Sequence, residues 1–305
     1  MSLAAPLPAT GACVTLRSGD QEAVVAPEFG GRLVSYRVAG RDVLRAASPE
    51  AMRTASVYGF AGFPLLPYSG PIFGEGFEFA GTWHPLKRTV REEPTATHGE
   101  GWIRPWMVVA QEPQRLELRL DHRPTPGTFP FAWRGRLVFL LTADGLTVDI
   151  TLTNRDHRPM PGGIGYHPYF PKPEGTVLRF DATGMWPPDA PENVLLGCGP
   201  MNPALDFPNG VDVSAIVLDR CFEGWDGVAT LAWPDGSAVR LSAGGALTRL
   251  QLYAPCDYPY VCVEPVSNAN DGFNRMAKGV PCHGVAVLEP GRTVSGHFTL
   301  TFLPA

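Results

Sequence analysis

The stretch LVFLLTADGLTVDITLT at residues 137–153 contains the clearest strand pattern of the chain. After the turn at Ala143-Asp144-Gly145, apolar residues alternate with polar ones from Leu146 to Thr153. This period of two is typical of a strand with one buried and one solvated face, so the stretch predicts a long antiparallel hairpin. The same alternation in residues 116–121 predicts a neighbouring strand with an exposed face.

Outward from this hairpin, short apolar runs separated by turn signals continue in both directions. Further strands are predicted at residues 22–25, 31–38, 43–44, 228–233, 238–242, 250–253, 260–264 and 293–302. The 34 glycines and 32 prolines punctuate these runs without forming a linker, and helix-period segments are nearly absent. We therefore predict an all-β fold, a large antiparallel β-sandwich in a single domain over residues 1–305, with residues 1–20 as a peripheral N-terminal segment.

The composition indicates a soluble globular protein whose partner is small. Of 305 residues, 44% are hydrophobic and 18% are charged, which is enough to bury a large core. A formal net charge of −5 without any basic run argues against a nucleic-acid or anionic-membrane surface. The N-terminal residues lack the charge and hydropathy pattern of a secretory signal, and no stretch approaches about 18 uninterrupted apolar residues, so we expect a cytoplasmic protein.

The cysteines are scattered without a C-x-x-C pair, at Cys13, Cys198, Cys221, Cys256, Cys262 and Cys282. Several lie in apolar runs typical of buried strands, so we predict free thiols in a reducing compartment. Neither the cysteines nor the seven histidines have metal-ligand spacing, and no metal is predicted.

Candidate chemistry centres on GGIGYHPYF at residues 162–170, which we expect to be a loop that follows the hairpin. Pro168 favours an extended backbone at His167, and the preceding glycines allow a ligand or another backbone to come close. Because imidazole changes charge near neutral pH, His167 is a candidate proton donor or acceptor. The alternative is a core histidine in an aromatic cluster, and this stretch alone favours neither.

Three further polar residues are candidates for the same site. Glu264 ends the apolar strand at residues 260–265, where a desolvated carboxylate suits a general base; the alternative is a glutamate that ties a loop through backbone N–H groups. His98 is followed by two glycines and two tryptophans, and the Trp102 indole is a candidate platform for a sugar ring, although buried indoles are commoner in cores. Asp219 is equally typical of a turn. Only their joint occurrence favours a site.

Several motifs occur in one order along the chain. They are FPLLPYSGPI at 63–72, expected to line a wall or cleft, His98-Gly99 with Trp106, HPYF at 167–170, D-x-x-F at 219–222 and VCVEPVSNANDGFN at 261–274. Together they resemble the aldose 1-epimerase (galactose mutarotase) family from about residue 24 to residue 302. The H-P-Y-F and E-P elements are specific only in combination.

The resemblance implies a galactose mutarotase-like supersandwich and an isomerase that interconverts the α and β anomers of free sugars without cofactor or metal. It implies Glu264 as general base, His167 as general acid, His98 as a second histidine at the ring oxygen, and Asp219 as a ligand of sugar hydroxyls. The reaction removes a proton from the C1 hydroxyl while another is given to the ring oxygen. A carboxylate and an imidazole on opposite sides of the C1–O5 bond therefore suffice.

One departure from the family pattern concerns the substrate. The family commonly has Asn-Arg after Pro-aromatic-Ser, whereas Gly70-Pro71 follows Ser69 here. A charged contact to a sugar hydroxyl is then absent or supplied from elsewhere, and Arg104 is the nearest candidate by sequence context. The alternative for Arg104 is an ordinary surface or stacking arginine. Tyr68 and Trp102 are also predicted to contact the sugar.

Two other function classes stay open at the level of sequence. A non-catalytic sugar-binding or sensing protein on the same fold would account for Gly70-Pro71, although the retained Glu264 and His167 favour catalysis. A glycoside hydrolase or lyase would use Glu264 with Asp219 as a carboxylate pair. The expected partner is in each case a small-molecule sugar, and we expect a monomer or homodimer.

Overall fold

Residues 13–305 are described by the structure, which is a computed structural model. Strands joined by tight turns dominate this part of the chain, as the period-two patterns predict. The strands are, in chain order, β1 (Val14–Ser18), β2 (Gln21–Ala26), β3 (Arg32–Val38), β4 (Arg41–Leu44), β5 (Gly62–Leu65), β6 (Pro71–Ile72), β7 (Gly76–Phe79), β8 (Thr82–Pro85), β9 (Ala96–Thr97), β10 (Met107–Glu112), β11 (Arg115–His122), β12 (Trp133–Thr142), β13 (Gly145–Asn154), β14 (Met160–Gly162), β15 (Gly165–Pro171), β16 (Val177–Phe180), β17 (Gly184–Met185), β18 (Gly199–Pro200), β19 (Val211–Asp212), β20 (Leu218–Glu223), β21 (Val228–Ala232), β22 (Ala238–Gly245), β23 (Arg249–Ala254), β24 (Tyr260–Val266), β25 (Ala286–Leu288) and β26 (Thr293–Leu303). The helices of the described residues are α1 (Pro49–Thr54), α2 (Gly272–Ala277) and two 3-10 turns at Pro27–Phe29 and Pro191–Asn193.

Two large antiparallel sheets organise the described residues. The first has eleven strands in the order β1-β2-β3-β5-β15-β24-β23-β20-β17-β18, with β4 paired to β3, counted over residues 13–305. The second has nine strands over the same residues, in the order β10-β11-β12-β13-β26-β22-β21-β16-β19. Three two-stranded ladders, β14 with β25, β6 with β9 and β7 with β8, lie outside both. The predicted large antiparallel β-sandwich is confirmed.

The hairpin that fixes the strand pattern is β12 and β13. Its ladder runs from Trp133 opposite Asn154 to Thr142 opposite Gly145, and β26 pairs along the other side of β13. The alternating apolar residues Leu146, Val148, Ile150 and Leu152 are fully buried. Period-two patterning therefore places one whole face of this hairpin in the core, as the sequence predicts.

The core lies between the two sheets. On β15 the buried Tyr166 packs against Phe298 of β26, with ring centroids 5.0 Å apart. Because successive side chains of a strand point to opposite faces, His167 points away from this core. We call the face of the eleven-stranded sheet that carries His167 its outer face. The loops and short ladders around residues 55–106 cover part of it, since Phe63 and Trp102 pack there with Tyr169.

Two expectations need correction. Residues 1–12 of the expected peripheral segment lie outside the described residues, but Val14–Ser18 form edge strand β1, and Leu16 is fully buried. The expected loop at His167 is strand β15, in the middle of the eleven-stranded sheet. The extended backbone that Pro168 favours is there, but it is part of a sheet. Local sequence does not reveal this, because proline is uncommon in central strands.

The six cysteines, all within the described residues, are free thiols, as predicted. Between residues 13 and 305, no helix combines the length and the apolar character needed to cross a bilayer.

Candidate active site

The outer face of the eleven-stranded sheet brings distant parts of the chain into two parallel rows. In the first row, Phe63 on β5 pairs with His167 on β15, and Glu264 on β24 pairs with Gln251 on β23. The ladder between β15 and β24 pairs Gly165 with Val266 and Tyr169 with Cys262, so His167 comes opposite Glu264 in the same register. Sheet register alone therefore joins the two candidate proton-transfer residues.

The second row lies two residues along each strand and points the same way. It runs from Tyr169 on β15 through Cys262 on β24 and Tyr253 on β23 to Asp219 on β20. Since the strand period is two, this row and the first share the outer face. Asp219 therefore stands on the same surface as His167, separated from it by two strands.

Prolines interrupt the hydrogen-bonded ladder between β15 and β24 next to His167 and Glu264. Pro168 follows His167 and Pro265 follows Glu264, and neither has a backbone N–H to donate. Paired positions between β15 and β24 break off after Gly165 and resume at Tyr169. Glu264 is thus the fifth residue of a seven-residue strand, not its end as expected. It lies where the hydrogen-bonded ladder between β15 and β24 is interrupted.

His167 and Glu264 form a buried pair in direct contact. His167 Nε2 is 3.2 Å from Glu264 Oε1, and the two residues are 7% and 2% exposed. Burial raises the pKa of the Glu264 carboxyl well above its usual range, and the charge of Asp219 adds to this. Burial lowers the pKa of the His167 imidazole, with smaller contributions from His98 and Arg45. Each group alone is disfavoured in its charged form, so one proton shared between them is the stable arrangement.

The His167 ring is held by aromatic neighbours. Its centroid is 4.6 Å from that of Phe63 and 4.7 Å from that of Tyr169, and the Tyr169 ring is stacked at 22°. Its Nδ1 atom is buried and has no hydrogen-bond partner among the described residues. Packing therefore orients this imidazole, and Nε2 is the nitrogen aimed at Glu264.

His98 stands beside the pair with its tautomer fixed. The ring centroids of His98 and His167 are 5.6 Å apart, and His98 Nδ1 accepts a hydrogen bond from the Gly70 N–H at 3.0 Å. Burial lowers the pKa of His98 to about 3, so the ring is neutral and its proton is on Nε2. His98 has φ of 61°, a left-handed conformation that histidine tolerates better than most residues. His98 Nε2–H is therefore a hydrogen-bond donor with a fixed orientation.

A chain of hydrogen bonds runs along the other wall. Gln251 Nε2 donates to Asp219 Oδ1 at 2.6 Å, and Asn270 Nδ2 donates to Asp189 Oδ2 at 2.5 Å and to Gln251 Oε1 at 3.3 Å. Asp219 is an exposed residue on β20, but partial desolvation of its carboxyl in the cavity, and then the charge of Asp189, raise its pKa to about 6. We call this chain the acidic wall. Its carboxylate oxygens face the cavity and can accept hydrogen bonds from hydroxyl groups of a ligand.

These residues surround one cavity with a volume of about 660 Å³, in the range of small-molecule sites. His98, His167, Asp219 and Glu264 all line it. The four candidates that the sequence places far apart therefore meet, while their roles stay predictions. The polar lining includes further residues that the sequence analysis did not select, namely Arg45, Tyr58, Glu93, Asp189, Gln251 and Asn270.

Some of these residues had a signal in the sequence. Gln251 is a polar residue inside the apolar run 250–253, and a buried amide within a strand needs a partner. Asn270 belongs to the polar run that follows Glu264. Arg45 and Asp189 had none, since each stands in an ordinary loop context and reaches the cavity only through tertiary packing.

The comparison with protein families gives a match over nearly the whole chain. The model of the family described as aldose 1-epimerase matches residues 12–301. The chain belongs to the aldose 1-epimerase family. The uncharacterized Escherichia coli K12 protein YphB is 29% identical over 255 residues, which are 78% of this chain and 82% of that protein.

Solved structures of the family share the fold. A protein of Escherichia coli K12, proposed to be an aldose 1-epimerase, has a TM-score of 0.84 at 25% identity, covering 95% of this chain and 98% of its own. Galactose 1-epimerase from Lactobacillus acidophilus has a TM-score of 0.75 at 16% identity, covering 95% of this chain and 93% of its own. The galactose mutarotase-like fold of this family member is thereby shown.

Three predicted sugar contacts of this family member are corrected by the structure, because none of them lines the cavity. Trp102 is fully buried, stacks on Phe63 and donates its indole N–H to the Gly99 carbonyl at 2.9 Å. Tyr68 packs against Phe273 with centroids 5.2 Å apart. Trp102 and Tyr68 are therefore buried residues that pack outside the lining of the cavity. Arg104 turns to His122, whose Nδ1 is 3.4 Å from Arg104 Nη1.

The departure at Gly70-Pro71 has a packing partner. Gly70 has φ of 76°, and a Cβ built there would lie 2.0 Å from Asn270 Oδ1. A side chain at position 70 and the present position of Asn270 are therefore incompatible. In this family member Asn270 occupies the space beside Gly70 and belongs to the acidic wall.

Proposed function

We propose that the protein is an aldose 1-epimerase, a cofactor-independent isomerase that interconverts the α and β anomers of a free aldose. One observation carries the proposal: the contact of 3.2 Å between His167 Nε2 and Glu264 Oε1 at the cavity. A proton donor and a proton acceptor in hydrogen-bond reach of one another can serve two oxygens of one substrate carbon. The C1 hydroxyl and the ring oxygen are such a pair.

The arrangement differs from the expected one. The two groups were expected on opposite sides of the C1–O5 bond, but they are neighbours on one face of one sheet. Neighbouring positions serve equally well, because O1 and O5 are bonded to the same carbon. A sugar that presents this edge to the pair meets the carboxylate with O1 and the imidazole with O5.

The proton count of the pair supports reversibility. In ring opening, Glu264 takes the proton of the C1 hydroxyl, His167 gives its proton to the ring oxygen, and the C1–O5 bond breaks to give the aldehyde. The pair thereby changes from carboxylate and imidazolium to carboxylic acid and neutral imidazole, with its net charge unchanged. Rotation about C1–C2 and the reverse transfers give the other anomer. Burial raises the pKa of Glu264 and lowers that of His167, so transfer of a proton from His167 to Glu264 is easier in the cavity than in water.

The other polar residues bind and orient in this proposal. His98 Nε2–H donates a hydrogen bond beside the ring oxygen without changing its own protonation, since its pKa is about 3. Asp219 and Asp189, joined through Gln251 and Asn270, accept from sugar hydroxyls. No arginine stands at positions 70 or 71, so we expect exchange of several neutral aldoses with weak preference, and a high KM for galactose.

Anomer exchange measured by NMR tests the proposal. The experiment follows freshly dissolved α-glucose and α-galactose, then 6-deoxy sugars and pentoses, with and without the protein. We expect exchange far faster than the spontaneous rate for at least one sugar. Saturable binding without faster exchange would replace the proposal by a sugar-binding protein, and release of reducing ends from oligosaccharides would indicate a glycoside hydrolase.

A further inference from the structure

The strand register places a third metal-binding side chain beside the proton-transfer pair. Cys262 precedes Glu264 by two residues on β24 and points to the same outer face, and it is fully buried. One ligand atom each from Cys262, His167 and Glu264 lie within 4.8 Å of one another. These ligands come from two neighbouring strands, so spacing along the chain does not reveal them, and no metal is predicted from the sequence.

The types and distances of these atoms suit one particular class of ion. Imidazole nitrogen, thiolate sulfur and carboxylate oxygen are together typical ligands of Zn²⁺, whereas Mg²⁺ and Ca²⁺ prefer oxygen alone. Two N or O ligands of a tetrahedral zinc ion lie about 3.3 Å apart. The separation of 3.2 Å between His167 Nε2 and Glu264 Oε1 agrees with this. Cys262 offers sulfur as the third ligand, because its ligand atom lies within 4.8 Å of the other two. His167 and Glu264 line the cavity, from which a fourth ligand can come.

We propose that His167, Cys262 and Glu264 form an inhibitory binding site for Zn²⁺ and similar thiophilic divalent ions. The ion binds through the His167 lone pair and the Glu264 carboxylate, the two groups that move protons in the proposed epimerase. Bound metal and anomerisation therefore exclude one another. The inference rests on the proposed function for its inhibitory effect, while the ion site itself rests on the three side chains.

The charge balance of the three buried side chains permits two protons to be replaced by one metal ion. Binding releases the thiol proton of Cys262 and the proton shared by His167 and Glu264 to solvent. Two protons are thus replaced by one doubly charged ion, and the net charge of the group does not change. Among the surrounding charges, Asp219 favours the ion, whereas Arg45, whose guanidinium is 4.2 Å from the Tyr169 ring centroid, opposes it.

Absorption spectroscopy with Co²⁺ tests the site without using activity. Co²⁺ takes zinc ligands and gives an intense near-ultraviolet charge-transfer band when a thiolate binds it. We expect this band on titrating the intact, EDTA-treated chain with Co²⁺, its loss on addition of Zn²⁺, and its absence in Cys262→Ala. The matched control is Cys221→Ala, a buried cysteine on β20 that is outside the group, and it keeps the band.

Inhibition by Zn²⁺ is the second measurement. The EDTA-treated wild type keeps full activity, added Zn²⁺ abolishes it, and renewed EDTA restores it. In Cys262→Ala the half-inhibitory Zn²⁺ concentration rises by at least about tenfold, because loss of an outer-shell partner alone costs about 10–100-fold in metal affinity. Thermal unfolding of each variant establishes that it is folded, and Cys262→Ser replaces the alanine variant if that one is not.

A wild type without a charge-transfer band, a band that survives in Cys262→Ala, or equal Zn²⁺ sensitivity of both proteins overturns the inference. If no sugar is anomerised at all, the Co²⁺ titration still decides whether the ion binds, so failure of the proposed function and failure of the ion site are distinguishable.

Discussion

Two histidine–glutamate pairs of the described residues, one buried and one with a partly buried glutamate, look alike until their surroundings are compared. One is His167 with Glu264 at the cavity. In the other, His122 Nδ1 is 3.8 Å from Glu100 Oε2. Burial acts on both pairs in the same direction: it raises the pKa of Glu100 to about 7 and lowers the pKa of His122 to about 4. Shifted pKa values alone therefore do not distinguish them.

The difference lies in what the polar atoms bind. Glu100 Oε1 accepts from the Phe129 N–H at 2.7 Å, His122 Nε2 is 2.8 Å from the Phe129 carbonyl oxygen, and Arg104 reaches His122 Nδ1. Backbone groups of one segment thus hold the second pair, and neither of its members lines the cavity. His167 and Glu264 contact one another and line the cavity. Access for a reactant, added to a shifted pKa, separates a candidate site from a structural ion pair.

The largest expected effect comes from Glu264→Gln. The amide keeps the shape of the side chain but accepts no proton, so we expect anomerisation to fall by about 10²–10⁴-fold with the fold intact. Glu100→Gln is the matched control, with a partly buried glutamate replaced in the same way, and we expect it to keep near-wild-type rates. NMR exchange measures both. Near-wild-type activity of Glu264→Gln would remove the distinction between the two pairs.

His167→Asn is expected to follow, with a loss of at least about 10²-fold, because protonation of the ring oxygen is lost. Its control is His122→Gln, whose amide nitrogen can still donate to the Phe129 carbonyl. The comparison is of kcat at saturating sugar, after circular dichroism has established folding. Equal losses in the two variants would mean that the pairs act alike.

Asp219→Asn tests sugar binding at the acidic wall. A charge-assisted hydrogen bond contributes about 1.5–3 kcal/mol, so we expect KM to rise by roughly ten- to a hundredfold, with a smaller change in kcat. Steady-state rates on glucose over a range of concentrations measure this. A selective loss of kcat at constant KM would instead assign Asp219 to proton transfer.

The pH dependence of stability provides a finer comparison. Glu100 has its pKa raised from 4.5 to about 7, so the folded state holds this proton more tightly than the unfolded one. Its contribution to the free energy of unfolding is present at low pH and is lost as the pH rises from 4.5 to about 7. Wild type should therefore lose stability relative to Glu100→Gln over this window, by up to about 1.4 kcal/mol per pH unit. Urea unfolding at several pH values measures the difference; parallel curves would contradict it.

The smallest effect is expected for Arg104→Ala. Arg104 contacts His122 of the second pair and does not line the cavity. KM and kcat should therefore change by less than about twofold for every sugar, while thermal stability falls slightly. A change of sugar preference, measured by exchange rates across aldoses, would mean that Arg104 contacts the sugar after all.

The sequence by itself determined the strands with a clear period of two, and the family. Alternation in residues 146–153 predicted a strand with one buried face, and the structure has it, because period-two patterning is local and acts through neighbouring residues. The H-P-Y-F and E-P motifs indicated the family through resemblance, and the family match confirms the family. The roles of His167 and Glu264 stay predictions.

Only the tertiary structure decided which side chains share the cavity. Arg104 is close to His98 in sequence yet turns to His122, whereas Arg45 and Asp189 reach the cavity from remote loops. Cys262 becomes a neighbour of His167 only through the register of β15 and β24. Register and loop packing depend on contacts between residues far apart along the chain, so the local pattern that determines a strand cannot determine the strands beside it or what covers them.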